Sequence, residues 1–166
     1  MFREPFPRIR PVLGVAGFSA TELVVVVAVI GIIMAASAPT FFSYFRTAAV
    51  RAGAEEMSAV LNRARLLAIK DNSTVCVTND GTAVRYLVRT APDCSMGPET
   101  FVWAGPGTDA AGFIRLASNI SMTNSQVMFT YIGTATVPAS YTVTNPPDAS
   151  SLTVNVTAAG RISIDP

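Results

Sequence analysis

The 166-residue chain contains no histidine. That absence excludes imidazole-ligated zinc, the Ser-His-Asp and Cys-His nucleophile systems, and a histidine general base. Charge is also scarce. The 12 Lys+Arg and 11 Asp+Glu residues make up 14% of the chain, against about 25% in typical soluble domains. At a net charge of +1, a nucleic-acid protein built on a large basic excess is excluded. Cysteine is limited to Cys76 and Cys94, too few for a thiolate zinc site or an iron–sulfur cluster. The pair either forms one disulfide or stays as two separate buried thiols. A bond would close a loop of about 19 residues, contributing roughly 3 kcal/mol on the chain-entropy model, and an oxidising compartment favours it. Asp109 and Asp148 lie in loops with no partner carboxylate at an interpretable spacing, so acid–base catalysis has no support. No Gly-rich stretch follows a strand and opens a helix, as phosphate binding requires. The sequence implies no enzyme, no metal and no cofactor.

What the chain does have is apolar surface, unevenly spread. From Leu23 to Phe45 no residue carries a charge. Leu23 to Ala38 is apolar or small throughout, Pro39-Thr40 and Phe41-Phe42-Ser43-Tyr44-Phe45 extend the run, and Arg46 ends it. A helix of this length spans a hydrocarbon core of about 30 Å. A helix buried in a soluble core is the alternative, but a chain this short has little protein to surround it. Within residues 1–17, Arg3, Arg8 and Arg10 stand against Glu4, and Pro5, Pro7 and Pro11 break any helix there. That asymmetry places the N-terminus in the cytoplasm and the C-terminal bulk across the membrane. Pro39 removes a helical hydrogen bond and predicts a kink. Glu22 is the anomaly: a carboxylate at the lip of an apolar run costs a few kcal/mol to insert and calls for a partner.

The segment Gly17-Phe18-Ser19-Ala20-Thr21-Glu22, followed by an apolar helix, resembles the type IV prepilin cleavage and N-methylation motif. The resemblance implies that a membrane prepilin peptidase cuts between Gly17 and Phe18 and methylates the new terminal Phe18. It further implies that Glu22 pairs with the Phe18 ammonium of a neighbouring subunit, offsetting the burial of both charges. Ala20 and Thr21 depart mildly from the residues commonest there. The competing possibility is an ordinary secretory signal. Residues 1–22 would be its basic region, Leu23–Met34 its apolar core and Ala36-Ser37-Ala38 its cleavage site. Pro39 would then follow the cut directly, a poor position for a tertiary amide, and Glu22 would have no role.

Beyond Pro39, Val50, Met57, Val60, Leu61, Ala64, Leu67 and Ala68 recur mostly at three- and four-residue steps, with Arg51, Glu55, Arg63 and Lys70 on other faces. This is an amphipathic helix whose stripe packs on a sheet. It should stop near Asp71-Asn72, about 50 residues and roughly 75 Å from Thr21. Short β-rich runs follow. Thr74–Thr78 and Ala83–Arg89 flank the hairpin signal Asn79-Asp80-Gly81. Further candidate strands are Thr100–Trp103, Phe113–Leu116, Val127–Tyr131, Tyr141–Thr144, Leu152–Val156 and Arg161–Ile164. Pro92, Gly97-Pro98, Gly105-Pro106-Gly107 and Asn145-Pro146-Pro147 mark loops. Trp103 reads as packing rather than a ligand platform. Asn72-Ser73-Thr74, Asn119-Ile120-Ser121 and Asn155-Val156-Thr157 fit the glycosylation pattern, which strands rich in Ser, Thr and Asn produce by chance.

The second half carries a further resemblance, on Ala64-Arg65 through Ala68-Ile69, Val75–Val77, Val127-Met128-Phe129 with Gly133, and Leu152–Val156 with Gly160-Arg161. On these the chain resembles the GspH/FimT family of minor pilins and pseudopilins. The implied fold is α+β, a long N-terminal helix packed on an antiparallel β-rich head. The implied organisation is a leader at 1–17, a membrane or filament-core helix at 18–45, an amphipathic helix at 46–72 and a periplasmic head at 73–166. The implied role is a structural subunit of a type IV pilus or type II secretion pseudopilus, held in the inner membrane and then built into a filament with other pilin subunits. Some FimT-like pilins bind DNA through a C-terminal Gly-Arg-x-Arg motif. Here Gly160-Arg161-Ile162-Ser163 lacks the second arginine. Residues 46–166 hold nine basic and nine acidic residues, which gives phosphate little general attraction. Arg161 therefore reads as a solvated strand-end charge before it reads as a DNA contact.

Overall fold

The computed structural model describes residues 17–91, 93–116, 120–136, 138–146 and 150–166. Arg3, Glu4, Arg8 and Arg10 of the leader with its prolines, Pro92, Asn119, Pro147 and Asp148 lie outside the described residues. The chain divides into two compact units, Met1–Thr40 and Phe41–Pro166.

One helix, α1 (Ala20–Lys70), contributes to both units. It contains Pro39 and continues past it as helix. It ends one residue before the predicted stop, and the reason is local. Asn72 takes a left-handed φ of 46°. Its N–H reaches the Ile69 carbonyl at 3.3 Å and the Ser73 N–H reaches that of Ala68 at 3.1 Å. These two bonds satisfy carbonyls that the helix end leaves open.

Among the described residues nine strands follow: β1 (Val75–Asn79), β2 (Ala83–Val88), β3 (Phe101–Val102), β4 (Phe113–Arg115), β5 (Ser121–Met122), β6 (Gln126–Phe129), β7 (Ala139–Thr144), β8 (Ser151–Val156) and β9 (Ile162–Asp165). They form two antiparallel sheets. The first has the order β3-β2-β1-β6, with β4 also paired to β2; the second has the order β5-β7-β8-β9. The β1–β2 hairpin turns at the predicted place. The Asp80 carboxylate there accepts N–H bonds from Thr82 (3.1 Å) and Ala83 (2.8 Å). Those bonds favour its charged form and hold its pKa below the usual carboxylate value.

Within the second unit α1 buries Val50, Gly53, Ala54, Met57, Val60, Leu61, Ala64 and Ala68; the expected stripe gains Gly53 and Ala54, and Leu67 is only half-buried at its margin. These pack with Val75, Val77, Val84, Tyr86, Val88, Val127 and Phe129 of the first sheet, and with Tyr141, Val143, Val154 and Val156 of the second, in one core. Strand alternation sends Cys76, Leu87 and Met128 to the other face of the first sheet. There they form a small cluster with half-buried Cys94 and Val102. Cys76 and Cys94 are disulfide-bonded, with Cα atoms 5.6 Å apart. The bond fastens the loop after β2 to the central strand β1.

Several expectations need correction. The strand expected at Val127–Tyr131 ends at Phe129, because the Gly133 N–H donates to the Thr130 carbonyl at 2.8 Å and closes a turn. Ser121–Met122 forms a strand that no sequence pattern announced, because two residues are too few to show alternation. Arg161 lies outside the strand assigned to it: the Thr157 N–H donates to its carbonyl at 2.9 Å, closing a turn, and β9 begins at Ile162.

Candidate assembly segment and head scaffold

Helix α1 begins at the residues that matched the processing motif. The Ser19 carbonyl accepts the N–H groups of Glu22 (3.0 Å) and Leu23 (3.1 Å), and the hydroxyls of Ser19 and Thr21 share a hydrogen bond of 2.8 Å. Ser19 and Glu22 have the spacing of a capping box, a helix-start signal that the sequence reading passed over. Glu22 lies in the first turn, where the partial positive charge of the helix N-terminus favours a carboxylate. Gly17 precedes the helix, and Phe18 is 76% exposed.

The apolar run has no buried residue, and only Ala38 is as much as half-buried between residues 17 and 48. Val24 is 67% exposed and Ile32 70%. A helix apolar on all faces is unstable in water, so lipid or other helices must surround it. This segment is long and apolar enough to cross a membrane. Two of its hydroxyls bond within the helix, Ser37 donating to the Ile33 carbonyl and Thr40 to that of Ser37, both at 2.8 Å, and just beyond it Thr47 donates to the Ser43 carbonyl at 3.1 Å. Such bonding inside the helix is what a medium without water requires.

In the head, family-like fragments far apart in sequence come together. Arg65 Nε donates to the Gly133 carbonyl at 2.8 Å. Gly160 takes φ 74°, and a Cβ there would collide with the same carbonyl. Gly133 takes φ 82°, and a Cβ on it would come within 2.9 Å of Ile69 Cδ1. Only glycine meets both demands at either position. The Ala135 N–H bonds to the Ala158 carbonyl at 3.0 Å beside them. Helix end, β6–β7 loop and β8–β9 turn thus share one junction, which spacing alone could not reveal. Arg161 follows it in sequence, exposed, with no hydrogen bond or ion pair to its guanidinium among the described residues.

Several other arginines are engaged in packing. Arg63 stacks over Trp103, 4.6 Å from the ring centroid, and Arg85 over Phe113 at 4.8 Å. Arg51 pairs with Glu55 at 3.0 Å. Trp103 also packs on Tyr86, whose hydroxyl donates to the Val60 carbonyl at 2.8 Å. Burial raises the Tyr86 and Tyr141 pKa values well above that of a free phenol. No group of three or more acidic or cysteine residues is placed to hold a metal among the described residues.

A family model described as type II transport protein GspH matches residues 53–160, more than half of the chain. The chain belongs to the GspH family. The matched stretch runs from Gly53, where a Cβ would strike the Ile120 side chain, to Gly160 at the junction just described. As a GspH-family member it is a pilin-like minor subunit, and the family is one of structural subunits. Two crystal forms of the type IV minor pilin FimU from Pseudomonas aeruginosa (strain PAO1) are similar in structure. One has 16% sequence identity and a TM-score of 0.49, covering 70% of this chain and 88% of that one. The other has 17% identity and a TM-score of 0.48, covering 70% and 92%. No curated protein matches the sequence.

Proposed function

We propose that this GspH-family chain is made as a prepilin, held in the inner membrane with its head in the periplasm, and assembled through its N-terminal helix. Prepilin peptidase cuts after Gly17 and the new terminal Phe18 is methylated. The mature subunit then enters a type IV pilus or a type II secretion pseudopilus by packing of its 18–45 segment against other pilin subunits. One observation carries this proposal: an apolar helix exposed on every face begins at a carboxylate in its first turn, directly after Gly17-Phe18. Lipid can cover that surface before assembly and neighbouring helices afterwards. Glu22, set against the Phe18 ammonium of the next subunit, fixes the axial register because neither charge is stable alone in that medium. The role is structural rather than enzymatic. DNA uptake receives no comparable support, because the nine basic and nine acidic residues of 46–166 cancel and several of the arginines are packed.

Glu22→Val separates processing from assembly. Expected is normal cleavage after Gly17 with loss of the subunit from sheared filaments. Wild-type incorporation of the variant would contradict the role assigned to Glu22.

A further inference from the structure

Among the described residues the second sheet ends at β9, which pairs with β8 alone. The edges at β6 and β5 are, among the described residues, partly covered by the chain's own returns. Beside β6, the Thr136 N–H reaches the Met128 carbonyl at 3.0 Å and Phe129 bridges to Ala135. Beside β5, the Met122 N–H reaches the Gly81 carbonyl at 2.7 Å. The outer side of β2 is shared by two short strands, β3 and β4.

The register of β8 and β9 shows which backbone groups remain open. The Thr157 N–H donates to the Arg161 carbonyl, so bonded pairs recur at every second position. Asn155–Ser163 and Thr153–Asp165 are therefore the hydrogen-bonded pairs of the ladder. Ile162 and Ile164 turn both N–H and C=O away from β8, and these groups have no hydrogen-bond partner among the described residues. Ile162-Ser163-Ile164 holds no lysine, proline or bulge of the kind that protects an edge, and charge or proline stands only at its ends, at Arg161, Asp165 and Pro166. A cleft of about 270 Å³ lies alongside, lined by Arg51, Glu55, Leu152, Ile164, Asp165 and Pro166.

We propose that this edge accepts an extended segment of another polypeptide as an added antiparallel strand. The charges at its two ends specify the segment. Arg161 and Asp165 flank the two isoleucines and project from the opposite face of the strand; among the described residues Arg161 has no ion pair, and Asp165 accepts from neutral donors alone, Asn155 Nδ2 at 2.7 Å and Ser163 Oγ at 3.5 Å. Positions opposite Arg161 and Asp165 in an added strand are non-hydrogen-bonded pairs, where side chains approach most closely. The occupant therefore carries a basic residue opposite Asp165, an acidic one four positions later opposite Arg161, and apolar residues between them facing Ile162, Ile164 and the cleft. Main-chain bonds supply affinity and the alternate side chains supply specificity.

Residues 161–165 of this chain carry that pattern themselves, which supplies a probe. A fluorescently labelled peptide of residues 159–166 is titrated with the full chain in detergent micelles and followed by anisotropy. Saturable binding is expected. Ile164→Pro in the protein removes an outward N–H and trims the side chain beside the cleft while leaving the bonds to β8 in place, so binding should fall about tenfold with the thermal midpoint unchanged. Exchanging the charges in the protein (R161D with D165R) should weaken the wild-type peptide by a similar factor, and a peptide with the same exchange should restore binding. If Ile164→Pro also lowers the thermal midpoint, the charge exchange decides alone. No saturable binding, or equal affinity of both peptides for both proteins, overturns the proposal.

Discussion

Residues 20–40 and residues 46–70 belong to one helix, yet only the second stretch contains buried positions. The first is apolar on every face, returns the hydroxyls of Ser37 and Thr40 to its own carbonyls and has its one acid in the first turn. The second places Val50, Met57, Leu61, Ala64 and Ala68 on one stripe and leaves Arg51, Glu55 and Lys70 exposed. Helical backbone bonding is common to both; the medium each is built for differs. The apolar stretch depends on something other than its own chain, whereas the amphipathic stretch is stabilised by sheets that fold with it. A substitution should therefore act on one stretch and leave the other untouched.

The largest effect is expected from Ile30→Asp. A carboxylate at mid-helix costs about 3–4 kcal/mol of insertion free energy, so extraction of the protein from membranes by alkaline carbonate should rise sharply. The thermal midpoint of the head should not move. Gly160→Val is the converse: it drives a side chain into the Gly133 carbonyl at a left-handed φ and should cost the head about 3 kcal/mol in urea. Membrane retention should be unchanged, and a cost below about 1 kcal/mol would mean that the junction is not formed. Replacing both Cys76 and Cys94 by alanine should cost roughly 3 kcal/mol on the chain-entropy model, again in the head alone.

A smaller effect comes from pH. Burial raises the Tyr86 and Tyr141 pKa values in the folded head, so their contribution is complete below the unfolded value of about 10 and declines above it. Two such groups predict a loss of about 1.5–2 kcal/mol between pH 9 and pH 10.5. Tyr86→Phe with Tyr141→Phe should flatten that part of the curve. An unchanged slope in the double variant would place the titration elsewhere.

Much of this was legible in the sequence because the signals are local. Sixteen apolar or small residues after Glu22, a three-and-four spacing from Val50, and Asn79-Asp80-Gly81 between two alternating runs each report on their immediate neighbours. What escaped depends on distance. Gly53 reads as a weak helix residue until Ile120 is found against it. Gly133 and Gly160 read as ordinary turn residues until Arg65 and one shared carbonyl connect them. Ser121–Met122 exists as a strand only because Val143 and Thr144 lie opposite. Cys76 and Cys94 allowed two interpretations, and the fold decides between them by placing their Cα atoms 5.6 Å apart. In the candidate assembly segment the signal is local as well: Gly17 and Phe18 lie just before the helix that starts at Ala20, and Glu22 is in its first turn.

The N-terminal residue of the mature protein tests most directly whether this helix is kept as a working part. Edman degradation or mass spectrometry of protein recovered from filaments should find N-methylated Phe18, with Glu22 as the fifth residue. A mature chain beginning at Pro39 would mean that the apolar run is a discarded secretory signal, and a chain still beginning at Met1 would mean that no peptidase acts after Gly17. Either result would contradict assembly through the 18–45 helix.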